Sequence, residues 1–124
     1  MLHKLTPILR VETIEPSLPF WVNRLGFTKV TVVREGSALG FVILKLGHLE
    51  VMLQSRASLA KDIPALAQGE FSASVLYVGI TDLDELEKKL EGIEVVVPRR
   101  ETFYGAREIW VRAPGGHIIG FAAG

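Results

Sequence analysis

The sequence predicts an α+β fold: two tandem βαβββ modules forming a curved mixed sheet, with the helices on the convex face. The first observation behind this is an ordered repeat. Ile8-Leu9-Arg10-Val11 precedes an amphipathic stretch closing at Leu25-Gly26 and then alternating apolar runs; Val75-Leu76-Tyr77-Val78 precedes a helix-like stretch closing at Leu90-Glu91-Gly92 and further alternating runs. The offset is roughly 70 residues and the unit occurs only twice, which excludes a solenoid. The second is the pair of helix stops at Gly26 and Gly92, and the third is the hairpin chemistry of Pro114-Gly115-Gly116. The expected organisation is one domain over 1–124, with module one at about 1–54, a linker at 55–70 and module two at about 71–124.

In the first module, Pro7 to Val11 reads as a short strand. Pro16 and Pro19 fit only the opening turn of a helix, where the missing N–H is not needed. Leu18, Trp21, Val22 and Leu25 recur at helical spacing and give that helix an apolar face, with Trp21 expected in the core. Phe27–Arg34, Ala38–Leu46 and His48–Gln54 follow as strands, turned at Glu35-Gly36-Ser37 and at Gly47. Ser55 to Glu70 shows neither period and reads as a linker with at most a short helical turn.

The second module starts with a strand over Val75–Ile80. Asp82 with Glu85 three residues later makes a capping-box pattern, and Lys88-Lys89 near the end suits the helix dipole. Ile93–Val97 is expected as a strand and Pro98–Gly105 as a loop. Ala106–Arg112 and His117–Ala122 then form a hairpin around Pro114-Gly115, a type II turn pattern.

Composition narrows the function. At 124 residues and 48% hydrophobic the chain can bury a core without splitting. Fourteen basic residues balance fourteen acidic ones, so no net field draws the chain to nucleic acid or an anionic membrane. Lys45 interrupts the apolar run Phe41–Leu44, leaving no membrane span, and the first residues lack a signal-peptide core. With no cysteine there is no disulfide, thiolate nucleophile or cysteine-bound zinc, and the cytoplasm is the expected location. Ser37, Ser55 and Ser58 lack a nucleophile elbow, and Gly36, Gly40 and Gly47 punctuate a hairpin rather than cradle phosphate.

Two stretches carry a resemblance. Phe20-Trp21 with Arg24-Leu25-Gly26-Phe27, and Tyr104-Gly105-Ala106-Arg107 leading to Ala113-Pro114-Gly115-Gly116-His117, resemble the glyoxalase/bleomycin-resistance/dioxygenase (vicinal oxygen chelate) superfamily, with Ala113 where Asp is usual. The resemblance covers nearly the whole chain. Its metalloenzymes hold one divalent ion through four positions, which fall here at Thr6, Glu50, Val75 and Gly120. Only Glu50 is a ready ligand, so the expectation is no metal and no cofactor, which removes chemistry that needs a Lewis acid. His48 and Glu50 share a strand face and form an alternative ligand pair; the competing reading leaves His48 solvated. His3 lies in a terminus, and His117 follows a turn and is expected to be exposed.

Strand parity places Thr6, Arg10, Glu50, Met52 and Tyr77 on the face that the resemblance makes concave. Arg10 and Glu50 either orient a ligand or pair with each other. Phe103, Tyr104 and Trp110 could stack on a planar ligand, although for Trp110 packing at a sheet edge or dimer interface is the stronger reading. Arg99-Arg100 reads as a solvated loop pair; Arg107 is the better binding arginine. The expected ligand-binding set is therefore Thr6, Arg10, Glu50, Met52, Tyr77, Phe103, Tyr104 and Arg107. The leading functional expectation is a metal-free binding protein of the bleomycin-resistance type, a homodimer sequestering a drug or metabolite, as in antibiotic resistance. A glyoxalase-like lyase or isomerase using Glu50 as base or remnant ligand, and a non-catalytic protein-interaction subunit, remain open.

Overall fold

The computed structural model describes residues 1–124. Its strands are β1 (Ile8–Val11), β2 (Thr28–Glu35), β3 (Ala38–Leu46), β4 (Leu49–Ser55), β5 (Val75–Gly79), β6 (Glu94–Glu101), β7 (Arg107–Arg112) and β8 (Ile118–Ala123). They form two four-stranded mixed sheets of identical topology, β1-β4-β3-β2 and β5-β8-β7-β6. In each, the first strand runs parallel to the last, and the remaining pairs are antiparallel. The repeat read in the sequence is thus a repeat of βαβββ modules. The chain divides into two compact units, Met1–Phe71 and Ser72–Gly124.

In the first unit, strand alternation sorts the side chains by face. Leu9, Leu53 and Val42 lie on one rung, Val51 and Leu44 on another, and all are buried. The expected first helix divides in two: a 3-10 turn at Glu15–Ser17 and a π-helical turn at Pro19–Arg24. The physical reason is Pro19, which cannot donate to a ladder begun at Pro16, so each proline opens its own turn. Phe20, Trp21 and Phe27 nevertheless reach the core, with successive edge-to-face contacts at 5.3 Å. Gly26 ends the turn at φ +88°, a conformation open to glycine.

The expected linker is more ordered than its composition suggested, and it packs within the first unit. It contains helix α1 (Arg56–Asp62) and a 3-10 turn at Pro64–Ala67. Ser55 caps α1 by accepting the Ser58 N–H at 3.2 Å, and Leu59 is fully buried beneath it. Arg56 fastens the segment: it meets both oxygens of Glu12, donates to the Ala67 carbonyl, and stands 3.9 Å above the Phe71 ring. Arg10 lies 4.8 Å over the same ring and donates to the Leu66 carbonyl.

The second unit repeats the sorting: Leu76, Ile119 and Val111 share a rung, as do Val78, Phe121 and Ile109. Helix α2 (Leu83–Lys89) packs against β8, burying Leu83 and Leu86. Asp82 caps it through the Glu85 N–H at 3.0 Å, as the sequence pattern required. The Pro114-Gly115 turn closes with Gly116 N–H donating to Ala113 O at 2.9 Å and Gly115 at φ +97°. One boundary moves: β6 runs through Pro98 to Glu101, so the expected loop shrinks to the residues between Glu101 and Arg107. Pro98 is tolerated because β6 is an edge strand with register shifts on either side of Val97.

If Phe71 is the anchor of the α1 segment, Phe71→Ala will destabilise the chain by about 1–2 kcal/mol, from two partly exposed cation–π contacts and lost apolar burial. Urea denaturation measures this, and an unchanged midpoint would show that the anchor contributes nothing.

Candidate functional site

The chemistry concentrates on the open face of the second sheet. Along β7 the alternation sends Ile109 and Val111 to the core and Glu108, Trp110 and Arg112 to the other face. On that face Tyr77, Gly120 and Trp110 occupy one rung across β5, β8 and β7. Gly120 is what lets the Trp110 indole lie flat on β8: a Cβ there would sit 2.7 Å from three indole carbons. Tyr77 packs beside the indole, ring centroids 5.7 Å apart at 39°.

One rung further, Glu108 faces Arg100 of β6. Only 1% of the Glu108 side chain is exposed, and its carboxylate is surrounded by donors. Oε1 accepts from Arg100 Nη2 at 2.9 Å, Arg100 Nε at 3.2 Å and Trp110 Nε1 at 3.1 Å. Oε2 accepts from the Tyr77 hydroxyl and, at 3.3 Å, from the Tyr104 hydroxyl. The Tyr77 hydrogen bond, with those from Trp110 and Arg100, outweighs desolvation and holds Glu108 below the usual carboxylate range. The same bond to Glu108, reinforced by Tyr104, pushes the Tyr77 phenol up. Tyr77 therefore stays protonated and donating at any physiological pH.

The two arginines expected in a solvated loop separate instead. The shift between Val97 and Arg100 in the β6–β7 register lets Val97 face Trp110 and Arg100 face Glu108, although they are three residues apart. This is how a bulge re-aims a side chain. Arg99 turns the other way, to Asp84 at 2.6 Å and Glu87 at 3.2 Å on α2. Phe103 and Tyr104 stack edge to face at 4.9 Å in the following loop, Phe103 wholly exposed. Arg107 shares parity with Ile109, on the face opposite Glu108, and its charge acts on Asp84.

The first module brings Thr6 and Glu50 together, with Thr6 Oγ1 donating to Glu50 Oε1 at 3.1 Å. Glu50 does not depend on Arg10 for charge: Lys4 at 2.9 Å and Lys45 at 3.3 Å neutralise it and, Lys4 foremost, lower its pKa. A carboxylate so held is a weak proton acceptor. Arg10 is turned toward Phe71, and Met52 is half-buried on β4, its N–H donating to Pro7 O. A separate groove of about 480 Å³ lies where β2, β3 and β4 meet α1, lined by Val33, Glu35, Phe41, Gln54, Ser58, Lys61 and Asp62.

The donor set does not fit the metal that the resemblance implies. Val75 is aliphatic, Gly120 has no side chain and lies under an indole, and Glu50 is committed to two ammonium groups and a hydroxyl. No three His, Asp or Glu residues converge anywhere in the chain, and His48 is exposed in the β3–β4 turn. His117 corrects an expectation: it is 3% exposed, and its Nδ1 accepts the Ser74 N–H at 2.9 Å, fastening the entrance of β5 to β8. Sequence reasoning missed Glu108 and set Arg100 aside. Applying to β7 the parity used for β1, β4 and β5 finds Glu108 beside Trp110; no such rule finds Arg100, because the bulge breaks the count.

Two outcomes follow from this geometry. Gly120→Ala forces the indole off β8 and costs about 1–3 kcal/mol of stability, as overpacking does, with a changed Trp110 emission; an unchanged spectrum and stability would mean the indole does not rest there. Because the folded pKa of Glu108 is depressed, its contribution is present above the unfolded value and is lost as pH falls through the lower folded value. Stability measured down from pH 6 should therefore fall below the ordinary glutamate range near pH 4.3, and Glu108→Gln should flatten that slope; equal slopes would contradict the assignment.

No protein-family model matches the sequence, and no curated protein does. Solved structures match over most of their length. TioX from Micromonospora sp. ML1 superposes with a TM-score of 0.81 at 19% identity, covering 98% of each chain. Lactoylglutathione lyase from Agrobacterium tumefaciens gives 0.75 at 16%, covering 98% of this chain and 93% of that one. The bleomycin-binding protein from Streptomyces verticillus, complexed with copper(II)-bleomycin, gives 0.64 at 24%, covering 100% and 99%. Others are described as glyoxalase/bleomycin resistance protein/dioxygenase proteins. The chain therefore has the fold of the glyoxalase/bleomycin-resistance/dioxygenase superfamily.

Proposed function

We propose that the chain is a small-molecule binding protein of the bleomycin-resistance type, working without a metal ion. The observation that supports this most is the replacement of a metal-ligand position by an aromatic floor: Gly120 lies under Trp110, with Tyr77 alongside. A flat apolar surface with a few convergent polar groups is the usual composition of a ligand site. Tyr77, Tyr104 and Phe103 of the expected set belong to it by position; Trp110, Glu108 and Arg100 join them. Thr6 and Glu50 form a separate polar pair, Glu50 serving as counter-ion to Lys4 and Lys45 rather than as base. Exposed valines on two of the four edge strands, Val30, Val32 and Val33 on β2 and Val95 and Val96 on β6, support a homodimer. No helix is long and apolar enough to cross a membrane, which accords with a cytoplasmic role in sequestering a drug or metabolite.

The test compares the chain dialysed against EDTA with the chain supplied with Zn²⁺, Ni²⁺ or Mn²⁺. Thermal shifts are read against metal-free bleomycin and a panel of aromatic cations, anions and neutral compounds. The reading expects responses that survive dialysis and no saturable metal heat by calorimetry. Responses that appear only with metal, or none from any compound, would contradict it.

A further inference from the structure

We propose that the open face around Glu108 receives an organic cation bearing a flat ring, with Glu108 as its buried counter-charge and Arg100 as an internal substitute that the ligand displaces. This rests on the small-molecule-binding reading above and adds the chemical class of the ligand.

The five hydrogen bonds to Glu108 divide into two kinds. Tyr77 and Trp110 stand on strands, have two side-chain torsions each, and pack on one another over Gly120. They form a fixed inner pair. Arg100 and Tyr104 form an outer pair: the Arg100 side chain is 51% exposed, Tyr104 is 62% exposed in a loop, and its bond is the longest of the set. An exposed guanidinium gives up an ion pair cheaply, whereas the buried carboxylate cannot be left without a cation. Whatever displaces Arg100 must therefore bring positive charge.

The surroundings favour the same sign. Tyr77 and Phe103 expose ring surface beside Tyr104, and ring faces attract cations. Both phenol hydrogens are spent on Glu108, so the two hydroxyl oxygens can only accept from a ligand, which suits N–H donors. An anionic ligand would meet the opposite: two acceptor oxygens, a buried negative charge, and an arginine whose charge is already matched. Phe103, wholly exposed in the free chain, gains a flat surface to cover when such a ligand binds.

The intact chain is titrated with benzyltrimethylammonium and, separately, with benzoate at low ionic strength, reading tryptophan fluorescence. Trp110→Phe identifies the site's signal, since Trp21 lies in the core of the first unit. The cation is expected to perturb Trp110 while benzoate does not. Arg100→Gln should tighten the cation about fivefold or more by removing the competitor, and Glu108→Gln should weaken it about tenfold or more. Should Glu108→Gln fail to fold, Arg100→Gln decides alone. Loss of the guanidinium destabilises the free chain but leaves Glu108 its bonds from Tyr77, Tyr104 and Trp110. The bound cation supplies the missing charge, so it should raise the melting temperature of Arg100→Gln more than that of the unaltered chain. Benzoate binding that Arg100→Gln abolishes, or cation binding that Arg100→Gln weakens or leaves unchanged, overturns the proposal and leaves the broader binding reading intact. Silence toward both probes and toward every compound in the panel above overturns both.

Discussion

A carboxylate shut away from water must be surrounded by donors, and in the second unit that requirement organises everything nearby. Glu108 receives five hydrogen bonds from four side chains. Unpaired, such a charge would cost several kcal/mol and the group would protonate instead. Each donor is placed by an identifiable feature of the chain: Trp110 by residue alternation on β7, Tyr77 by the parallel register of β5 with β8, Arg100 by the bulge in β6, Tyr104 by the shortened loop. Gly120 makes the room. The site is a consequence of sheet geometry as much as of residue chemistry.

The two units use charge differently, and the contrast explains why only one looks built for a ligand. In the first, Glu50 is neutralised by two half-exposed lysines, Arg10 and Arg56 stand over Phe71, and Arg56 also pairs with Glu12. These contacts hold the terminal segment and α1 to the sheet. In the second, the charged cluster lies beneath exposed aromatic rings instead of at the rim. A superfamily fold that hosts enzymes and binding proteins alike gives no function by itself; the side chains on the open face discriminate.

Much of the fold was legible because the signals were local. The repeat, the Asp82 cap, the Gly26 stop and the Pro114-Gly115 turn each depend on a few adjacent residues. The first helix was legible as a helical segment but not as two turns, since Pro16 and Pro19 were both assigned to the opening of one helix although each opens its own turn. Helix α1 was legible only as a short turn within a linker, because seven residues hold too little periodicity and its anchors, Glu12 and Phe71, lie outside it. Of the residues around Glu108, Tyr77 was singled out by strand parity and Tyr104 by loop position. Arg10 and Glu50 were expected to orient a ligand or to pair with each other; the partners each takes lie largely in segments without a readable pattern. Arg100 depended on a register shift that no periodic rule anticipates, and His117 on a backbone donor 43 residues away.

Glu108 remains ionised in its buried position because Tyr77, Trp110 and Arg100 donate to it. Carbon-13 NMR of the glutamate carboxyl carbons, assigned through the Glu108→Gln spectrum and followed against pH, measures this directly. A Glu108 midpoint below that of an ordinary glutamate is the predicted result. A midpoint above it would mean that burial outweighs the donors and that Glu108 is not held as a carboxylate.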